Sequence, residues 1–383
     1  MRFLHISDLH IGKRLCGRSL MEDQRHVLRE ILEMAGNPEI DAVLVAGDIY
    51  DKSQPGSEAV ELAGAFLTGL AALKKPAFIV SGNHDSQEQV AYCRGILAGA
   101  DIHVSPALSG APEPVVLRDE WGEVNVYLLP FVRPAQARRA FPERAGEIGS
   151  YADALRVCVE EMRVDPAKRN VLVAHQFVVG GEMVFTDSED LMVGGVDAVP
   201  AAVFEPFDYV ALGHLHAPQR AGSDRIRYAG SPLKYSQSEE KQKKAALRVA
   251  LGAKGDAPEI EPLPYHPLRD VKSIRGTLRE LMLSGAPDMD YVFVTLTDEL
   301  PPIDPVGALV ENYPNFLQLR MENSRTGQSA EIAMPARMEG LSPMEHFLRF
   351  YAAQNNAQAP AEAQLRMLER AIEEAEVNLH APA

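Results

Sequence analysis

Short apolar runs alternate with segments of helical periodicity through most of the chain. Apolar runs with the length of β-strands predict strands at 2–7, 42–46, 77–81, 124–129, 170–174, 209–212, 226–229 and 245–251. The intervening periodicity predicts helices at 21–35, 57–73 and 151–163. Many of these strands are continuously apolar, so both faces of each sheet should be covered. The pattern therefore predicts a layered α/β domain from residue 1 to about residue 263.

A change of pattern follows this domain. Residues 255–267 contain four prolines and predict a linker, because proline interrupts both helices and central strands. Residues 268–337 then predict a small α+β domain, with strands at 268–275, 291–297 and 316–322 and helices at 278–283 and 305–313.

The last section, residues 342–383, predicts two amphipathic helices. The first begins at a capping box that starts with Ser342. Its apolar residues share one face, and so do those of the second helix: Met344, Phe347, Leu348 and Tyr351 in the first, and Leu365, Leu368 and Ile372 in the second. Such a pair either closes on itself as a hairpin or docks on a partner protein.

Composition narrows the class of protein. The chain has 383 residues, a length typical of two or three domains, and 46% hydrophobic and 24% charged residues, as in soluble globular proteins. No apolar run has the length of a membrane-spanning helix. His5 interrupts the first apolar run, which a secretory signal would not tolerate. The sequence therefore predicts a cytoplasmic protein without a membrane partner. Three scattered cysteines predict neither disulfides nor a thiolate zinc site.

The net charge of −16 excludes binding that coats nucleic acid through bulk electrostatics. Any contact with nucleic acid must be local, or must be supplied by a metal ion or a partner. The chain also contains neither a Walker-type phosphate loop nor a GxGxxG motif, so it predicts no nucleotide-binding loop of its own.

Polar residues follow five of the predicted strands. These strand ends carry Asp8 and His10, Asp48, Asn83 with His84 and Asp85, His175, and His214 with His216. Each has an ordinary structural interpretation when taken alone, such as a cap, a turn or a buried histidine. The carboxyl ends of parallel strands, however, face one crevice, so all five should converge there.

The residue types indicate a metal centre with two ions. Aspartate, histidine and one amide, without cysteine, form a donor set suited to Mn²⁺, Fe or Mg²⁺. The seven candidate ligands, which exceed the needs of one ion, are Asp8, His10, Asp48, Asn83, His175, His214 and His216. Asp48 is the natural bridge, because it stands alone at a central strand end. Two divalent ions would leave a positive site for a phosphodiester and would lower the pKa of a water between them.

The segment Gly82-Asn83-His84-Asp85 predicts a division of roles. Gly82 allows a tight turn, Asn83 is a ligand, and His84 stabilises the leaving oxygen. Asp85 is expected to orient His84. The alternative is that His84 is an eighth ligand or a packing residue.

In order along the chain, these motifs resemble those of the calcineurin-like metallophosphoesterases. Three further stretches resemble the SbcD family, the exonuclease subunits of bacterial SbcCD DNA repair complexes. They are LHISDLHIGK at 4–13, GDIYD at 47–51 and YAGSPLKYS at 228–236. The fold implied is a layered αββα sandwich with a small α+β capping domain and C-terminal helices.

The resemblance also implies roles for individual residues. Asp8, His10, Asp48 and His216 would hold one manganese ion, and Asp48, Asn83, His175 and His214 the other. His84 would act on the transition state. Asp51 departs from the archaeal and eukaryotic relatives, which tend to have histidine at this position. Candidate DNA contacts are Lys13, Arg14, Arg18, Asp51 and the lysine-rich run 241–244, for which solvated surface is the alternative.

The resemblance thus implies a Mn²⁺-dependent DNA nuclease, both a double-strand exonuclease and a single-strand or hairpin endonuclease. Residues 1–263 would be the nuclease domain, 268–337 a capping domain facing DNA, and 342–383 the contact with an SbcC-like ATPase, in a heterotetramer containing a homodimer of this chain. One alternative is a phosphoesterase acting on a small phosphodiester or a phosphoprotein. Another is a scaffold that keeps a metal only for folding.

Overall fold

A computed structural model describes residues 1–181, 183–189, 197–283, 287–323, 344–345, 347–348, 351 and 359–379. The chain divides into two compact units, Met1–Val271 and Lys272–Ala383. No helix within the described ranges has the length and apolarity needed to cross a bilayer.

The first unit contains sixteen strands and six α-helices among its described residues. The strands are β1 (Arg2–Ile6), β2 (Arg14–Leu15), β3 (Arg18–Ser19), β4 (Ala42–Ala46), β5 (Ala77–Val80), β6 (Ile102–Val104), β7 (Val115–Asp119), β8 (Gly122–Leu129), β9 (Arg169–His175), β10 (Val178–Val179), β11 (Val199–Pro200), β12 (Tyr209–Gly213), β13 (Gln219–Ala221), β14 (Ser223–Tyr228), β15 (Ala245–Ala250) and β16 (Glu259–Pro264). The helices are α1 (Met21–Gly36), α2 (Ser57–Leu73), α3 (Gln87–Val90), α4 (Arg94–Ala98), α5 (Pro134–Ala140) and α6 (Tyr151–Glu161).

Two six-stranded sheets form the centre of this unit. Their strand orders are β16-β15-β1-β4-β5-β6 and β13-β14-β12-β9-β8-β7. Strands β1, β4, β5 and β6 are parallel to one another, as are β8, β9, β12 and β14, while β15, β16, β13 and β7 pair antiparallel with their neighbours. The carboxyl ends of the parallel strands in each sheet therefore share one edge.

Apolar layers hold the two sheets and their helices together. Phe3, Leu44 and Phe78 of the first sheet pack against the second sheet through residues such as Val173 and Tyr209. The other face of the second sheet packs against α5 and α6, and α2 buries apolar residues beside β4 and β5. Every residue of β4, β5, β9 and β12 is buried, as the continuous apolar runs predicted. The predicted αββα sandwich is confirmed.

The prediction of a linker at 255–267 is wrong. Strand β16 occupies Glu259–Pro264 and pairs antiparallel with β15, with Pro262 opposite Leu247 and Pro264 opposite Ala245. Proline lacks a backbone donor and is tolerated on an edge strand, which needs hydrogen bonds on only one side. The edge strands β6 and β7 were also missed, since short or half-exposed strands carry a weak apolar signal.

In the second unit the predicted strands and helices are confirmed where the structure describes them. The sheet has the order β17-β18-β19, formed by β17 (Val271–Gly276), β18 (Tyr291–Leu296) and β19 (Phe316–Met321), with helices α7 (Leu278–Leu281) and α8 (Pro305–Asn312). Leu309 and Tyr313 pack against β18. A last helix, α9, spans Glu362–Leu379. The capping box at Ser342 lies outside the described residues, and the predicted bounds 268–337 and 342–383 stay predictions.

Candidate metal centre

The predicted strand ends do meet. Four of the seven candidate ligands follow strands of the first sheet, and three belong to strand ends of the second: Asp8 and His10 after β1, Asp48 after β4, Asn83 after β5, His175 at the end of β9, and His214 and His216 after β12. Asn83 is half-buried and the other six are buried. The carboxyl ends of the parallel strands in the two sheets thus bring together residues that are up to about 200 positions apart in sequence.

One group of side chains consists of Asp8, His10 and His216. One ligand atom from each lies within 4.8 Å of the others. The Nε2 atoms of His10 and His216 are 3.1 Å apart, so two ring nitrogens point at one place. Two ring nitrogens at this distance repel each other through their lone pairs unless the two imidazoles share a proton or bind a cation.

A second group surrounds Asn83. The Oδ1 atom of Asn83 is 3.0 Å from His175 Nε2 and 3.0 Å from His214 Nδ1. Asp48 lies between the two groups, because its Oδ2 atom is 3.3 Å from His175 Nε2 and 3.5 Å from His10 Nε2. This position fits a carboxylate shared by two ions.

The backbone at this edge adopts an unusual conformation. Asp8, His10, Asp48 and His214 have φ angles of 54°, 43°, 51° and 110°, a region that side chains other than glycine rarely occupy. Cross-strand hydrogen bonds stabilise it: the Asp8 amide donates to Gly47 O at 3.1 Å, and the His10 amide donates to Asp48 O at 2.9 Å. Backbone strain of this kind is concentrated at functional sites.

Gly82 and Gly213 are among the glycines that have no space for a side chain. A Cβ atom on Gly82 would lie 2.0 Å from Asp48 Oδ1, and one on Gly213 would lie 1.9 Å from Ala46 O. Neither residue has a positive φ angle. The tight turn predicted at Gly82 is therefore not the reason for glycine there; the reason is the close approach of the Asp48 carboxylate.

The site fits divalent cations. Among the described side chains, His10 Nδ1 and His214 Nε2 are buried nitrogens without a hydrogen-bond partner. His175 Nδ1 donates to Ala46 O at 2.9 Å, so Nε2 is the nitrogen that would bind a metal ion in place of a proton. The donor set of carboxylate, amide and imidazole is the one expected for Mn²⁺ or a similar ion.

The electrostatics of the site also favour positive charge. Burial disfavours the charged form of His175, but the carboxylates of Asp48 and Asp8 outweigh it and raise the pKa of His175 to about 9. Burial, with the nearby His175, instead lowers the pKa of His214 to about 3, so this imidazole stays neutral, as a metal ligand must be. The two carboxylates thus create a field that stabilises a cation within the cluster.

His84 is half-buried and lies next to the candidate ligands. Its backbone amide donates to Asp48 Oδ1 at 3.0 Å, and its ring is 4.8 Å from the His10 ring, centroid to centroid. Its Nδ1 atom donates to the carbonyl oxygen of Asp51 at 2.9 Å. This bond directs the opposite nitrogen, Nε2, away from Asp51 and leaves it available.

The expectation that Asp85 orients His84 is wrong. The Asp85 carboxylate accepts hydrogen bonds from the amides of Ile49, Tyr50 and Gly82, at 3.1, 2.9 and 2.9 Å. Burial, with the nearby Asp48, raises the pKa of Asp85 to about 6. Adjacent residues in a turn point in different directions, so Asp85 fixes the loops that carry Asp48 and His84, and the Asp51 carbonyl orients the His84 ring.

Behind His216 lies a polar network that the sequence did not reveal. His216 Nδ1 is 2.7 Å from Ser188 Oγ and 3.5 Å from Glu239 Oε1, and Ser188 also bonds Glu239. Lys244 Nζ bonds Glu239 Oε2 at 2.5 Å and His216 O at 2.8 Å. Glu239 and Lys244 come from charged stretches that look like solvated surface, so no sequence signal distinguishes them.

Of the candidate DNA contacts, Lys244 is excluded by its burial. Lys13 pairs with the Asp51 carboxylate at 2.8 Å, and Arg14 donates to Gly17 O. The role of Arg18 stays a prediction.

The YAGSPLKYS stretch forms one wall of the site. Tyr235 donates to Leu9 O at 2.6 Å, and its ring lies 5.5 Å from the His10 ring and 5.7 Å from the His216 ring, centroid to centroid. Ser231 bonds Lys244, so this stretch also contributes to the network behind His216.

Comparison with known proteins defines the class. The calcineurin-like phosphoesterase family model matches residues 1–218, and a model described as the type 5 capsule protein repressor C-terminal domain matches residues 265–355. The chain belongs to the calcineurin-like phosphoesterase family. Divalent metal ions are the cofactors that this family implies.

A particular relative refines this assignment. The SbcD subunit of nuclease SbcCD from Staphylococcus epidermidis is 32% identical over 326 residues, which cover 83% of this chain and 85% of the relative. The predicted resemblance to SbcD is thereby confirmed, and it supports a nuclease role.

Two solved structures show lower similarity, each with a TM-score of 0.35. The calcineurin-like phosphoesterase YfkN from Bacillus subtilis is 14% identical, over 68% of this chain and 90% of that one. A dimetal phosphatase from Danio rerio is 13% identical, over 68% of this chain and 95% of that one.

Proposed function

We propose that the chain is a Mn²⁺-dependent DNA nuclease that hydrolyses phosphodiesters as part of an ATP-driven SbcCD-type complex. The observation that carries this proposal is the cluster of seven oxygen and nitrogen ligands, divided into two groups by Asp48, with His84 at its mouth. Double-strand exonuclease and single-strand or hairpin endonuclease activities both require this chemistry.

The ligand roles follow from the two groups. Asp8, His10, Asp48 and His216 would hold one ion, and Asp48, Asn83, His175 and His214 the other. Two divalent ions held there would supply positive charge for a phosphodiester and would lower the pKa of a nucleophilic water. Four imidazoles favour Mn²⁺ or Fe over Mg²⁺, which prefers oxygen ligands.

The chain's own residues supply the remaining chemistry. His84 is half-buried and has its Nδ1–H committed to Asp51 O, and the role proposed for its Nε2 is to stabilise the leaving oxygen. Asp85 holds the loop on which Asp48 and His84 depend. Asp51 acts through its backbone carbonyl and by pairing with Lys13.

We assign partners by analogy with the relative, whose name describes it as one subunit of SbcCD. Residues 342–383 would bind an SbcC-like ATPase, and 268–337 would face DNA. Deleting residues 342–383 should abolish co-purification with such an ATPase while leaving cleavage by residues 1–341 measurable. Retained association after this deletion would contradict the assignment.

A homodimer of this chain is proposed through the surface of α2, α3 and α4. Val60, Tyr92 and Ile96 are 44%, 87% and 79% exposed there. The same helices line a largely apolar cavity of about 620 Å³. Apolar surface grouped in this way is typical of a protein interface. Ile96→Glu should therefore shift the chain from dimer to monomer in light scattering.

Substrate choice tests the proposed function. The purified chain should degrade linear duplex DNA in Mn²⁺ and lose this activity in chelator, and it should also open hairpin ends. Hydrolysis of a generic phosphodiester without DNA degradation would instead favour the small-substrate phosphoesterase. Inactivity on both substrates in Mn²⁺ would favour the scaffold.

A further inference from the structure

Arg133 lies beside the metal centre, in the loop between β8 and α5, and the sequence motifs do not include it. We propose that Arg133 binds a backbone phosphate of DNA next to the phosphate that is cleaved. This proposal rests on the proposed nuclease function and adds to it a residue that positions the strand.

One aromatic ring connects Arg133 to the candidate ligands. The Cζ atom of Arg133 lies 5.0 Å from the centroid of the Phe131 ring. That ring in turn lies 6.4 Å from the His214 ring and 6.2 Å from the His175 ring, centroid to centroid. The guanidinium group therefore lies no more than about 11 Å from the His175 ring, a distance that neighbouring phosphates of a strand bound at the metal cluster can span.

The loop that carries Arg133 is fixed to the site by hydrogen bonds. The Phe131 amide donates to Ser81 O at 2.9 Å, directly before the turn that carries Asn83. Gln87 Nε2 donates to Phe131 O at 2.6 Å, and the Val132 amide donates to Gln176 Oε1 at 3.2 Å. Phe131 and Val132, the two residues before Arg133, are thus tied to Ser81, Gln87 and Gln176, so the backbone that leads into Arg133 is fixed beside the site.

The charge of Arg133 is available to a ligand. Its side chain is exposed, and among the described residues no carboxylate lies within 4.0 Å of it. Other cations at the site are engaged: Lys13 pairs with Asp51, Lys234 pairs with Asp270 at 2.7 Å, and Lys244 is buried. A chain with a net charge of −16 needs such local cations to hold DNA.

The chemistry of arginine suits this position. A guanidinium group stacks on an aromatic face while its edge donates two parallel hydrogen bonds to a phosphate. Stacking on Phe131 limits the freedom of the side chain before DNA binds, which reduces the entropy lost on binding. Lysine would keep the charge but not the planar stacking.

Arg133→Ala tests the proposal, with Arg133→Lys as the conservative variant and Arg139→Ala as the control. Arg139 is an exposed arginine in the last turn of α5, so its loss changes the net charge by the same amount. DNA affinity is measured by anisotropy on a short linear duplex in chelator across a series of KCl concentrations. The KM and kcat values for the same duplex are then measured in Mn²⁺.

Arg133→Ala should weaken DNA binding about 10-fold and reduce the slope of log affinity against log salt by about 1. It should raise KM more than it lowers kcat, since a binding contact is lost. Arg133→Lys should keep the salt slope and recover part of the affinity. Arg139→Ala should behave as the wild type.

Unchanged affinity and salt slope in Arg133→Ala would overturn the proposal, and so would an equal loss in Arg139→Ala, which would indicate bulk charge alone. These outcomes differ from failure of the proposed function, in which the wild-type chain itself would not cleave the duplex in Mn²⁺. Circular dichroism of each variant confirms that folding is retained.

Discussion

Glu239 and Lys244 form a buried ion pair directly behind the candidate ligand His216, with Lys244 Nζ 2.5 Å from Glu239 Oε2. Glu239 also bonds Ser188, whose hydroxyl oxygen is 2.7 Å from His216 Nδ1. The proximity of Ser188 and a buried carboxylate at Nδ1 favours the tautomer with a proton on Nδ1, so Nε2 is left to bind a cation. The ion pair is thus coupled to metal binding through one ring.

Lys244→Met should weaken Mn²⁺ binding about 10-fold to 100-fold, because Glu239 loses its countercharge and His216 its fixed orientation. Unfolding should also become easier by about 3 to 5 kcal/mol, the usual effect of leaving one buried charge unpaired. Calorimetric titration and thermal melting measure the two effects. Lys243→Met, which removes the same charge from an exposed neighbour, should change neither, and equal effects in both variants would contradict the coupling.

Asn83 and His84 are adjacent, but their replacement should affect different properties of the protein: metal affinity for Asn83 and turnover for His84. Asn83→Ala should lower metal affinity, since the amide oxygen lies 3.0 Å from two histidine nitrogens. His84→Ala should keep the metal and lose turnover about 100-fold or more, the usual effect of removing a general acid. Metal content by mass spectrometry and kcat on duplex DNA separate them. A His84→Ala chain with normal turnover would exclude His84 from the chemistry.

His5 should make the protein less stable in mild acid. It is buried between the sheets, with Nδ1 2.8 Å from the Tyr209 hydroxyl and Nε2 3.1 Å from Leu212 O. Burial lowers the pKa of His5 from 6.5 to about 3, although the Leu212 carbonyl opposes this shift. The unfolded chain therefore binds a proton below pH 6.5 that the folded chain does not accept until about pH 3.

The contribution of His5 to stability is complete above pH 6.5 and decreases as the pH falls. Between pH 6.5 and pH 5 the loss is about 2 kcal/mol, from about 1.4 kcal/mol per pH unit. Urea unfolding at both pH values measures it in the wild type and in His5→Gln, which does not titrate. If the two proteins lost stability equally over this interval, the assignment to His5 would be wrong.

The three cysteines should differ in reactivity. Cys158 is buried against the second sheet, and burial raises the pKa of its thiol to about 12. Cys16 and Cys93 are exposed. Iodoacetamide at neutral pH should therefore label two thiols in the folded chain and three after denaturation, as counted by mass spectrometry. Labelling of Cys158 in the folded chain would contradict this packing.

The metal ligands could be predicted because they obey a rule of position. Asp8, Asp48, Asn83, His175 and His214 each stand at the end of a buried apolar run, and parallel strands bring such ends together. The continuous apolar runs likewise predicted strands covered on both faces, which led to the sandwich.

What could not be predicted depends on contacts between distant segments. Glu239 and Lys244 read as surface charges, and only the packing of the 228–244 segment buries them against His216. Asp85 is next to His84 in sequence, yet its carboxylate binds backbone amides of another loop. Proline marked 255–267 as a linker, because an edge strand cannot be recognised without its neighbour.

Two metal ions bound at one edge of the sandwich are central to the proposed nuclease function. The number of Mn²⁺ ions bound per chain when DNA cleavage is saturated tests it most directly, by calorimetric titration of the metal-free protein. We expect two ions per chain, with loss of the Asp48 carboxylate in Asp48→Asn weakening the binding of both. Cleavage at full rate with one ion bound, or with none, would contradict a two-metal nuclease.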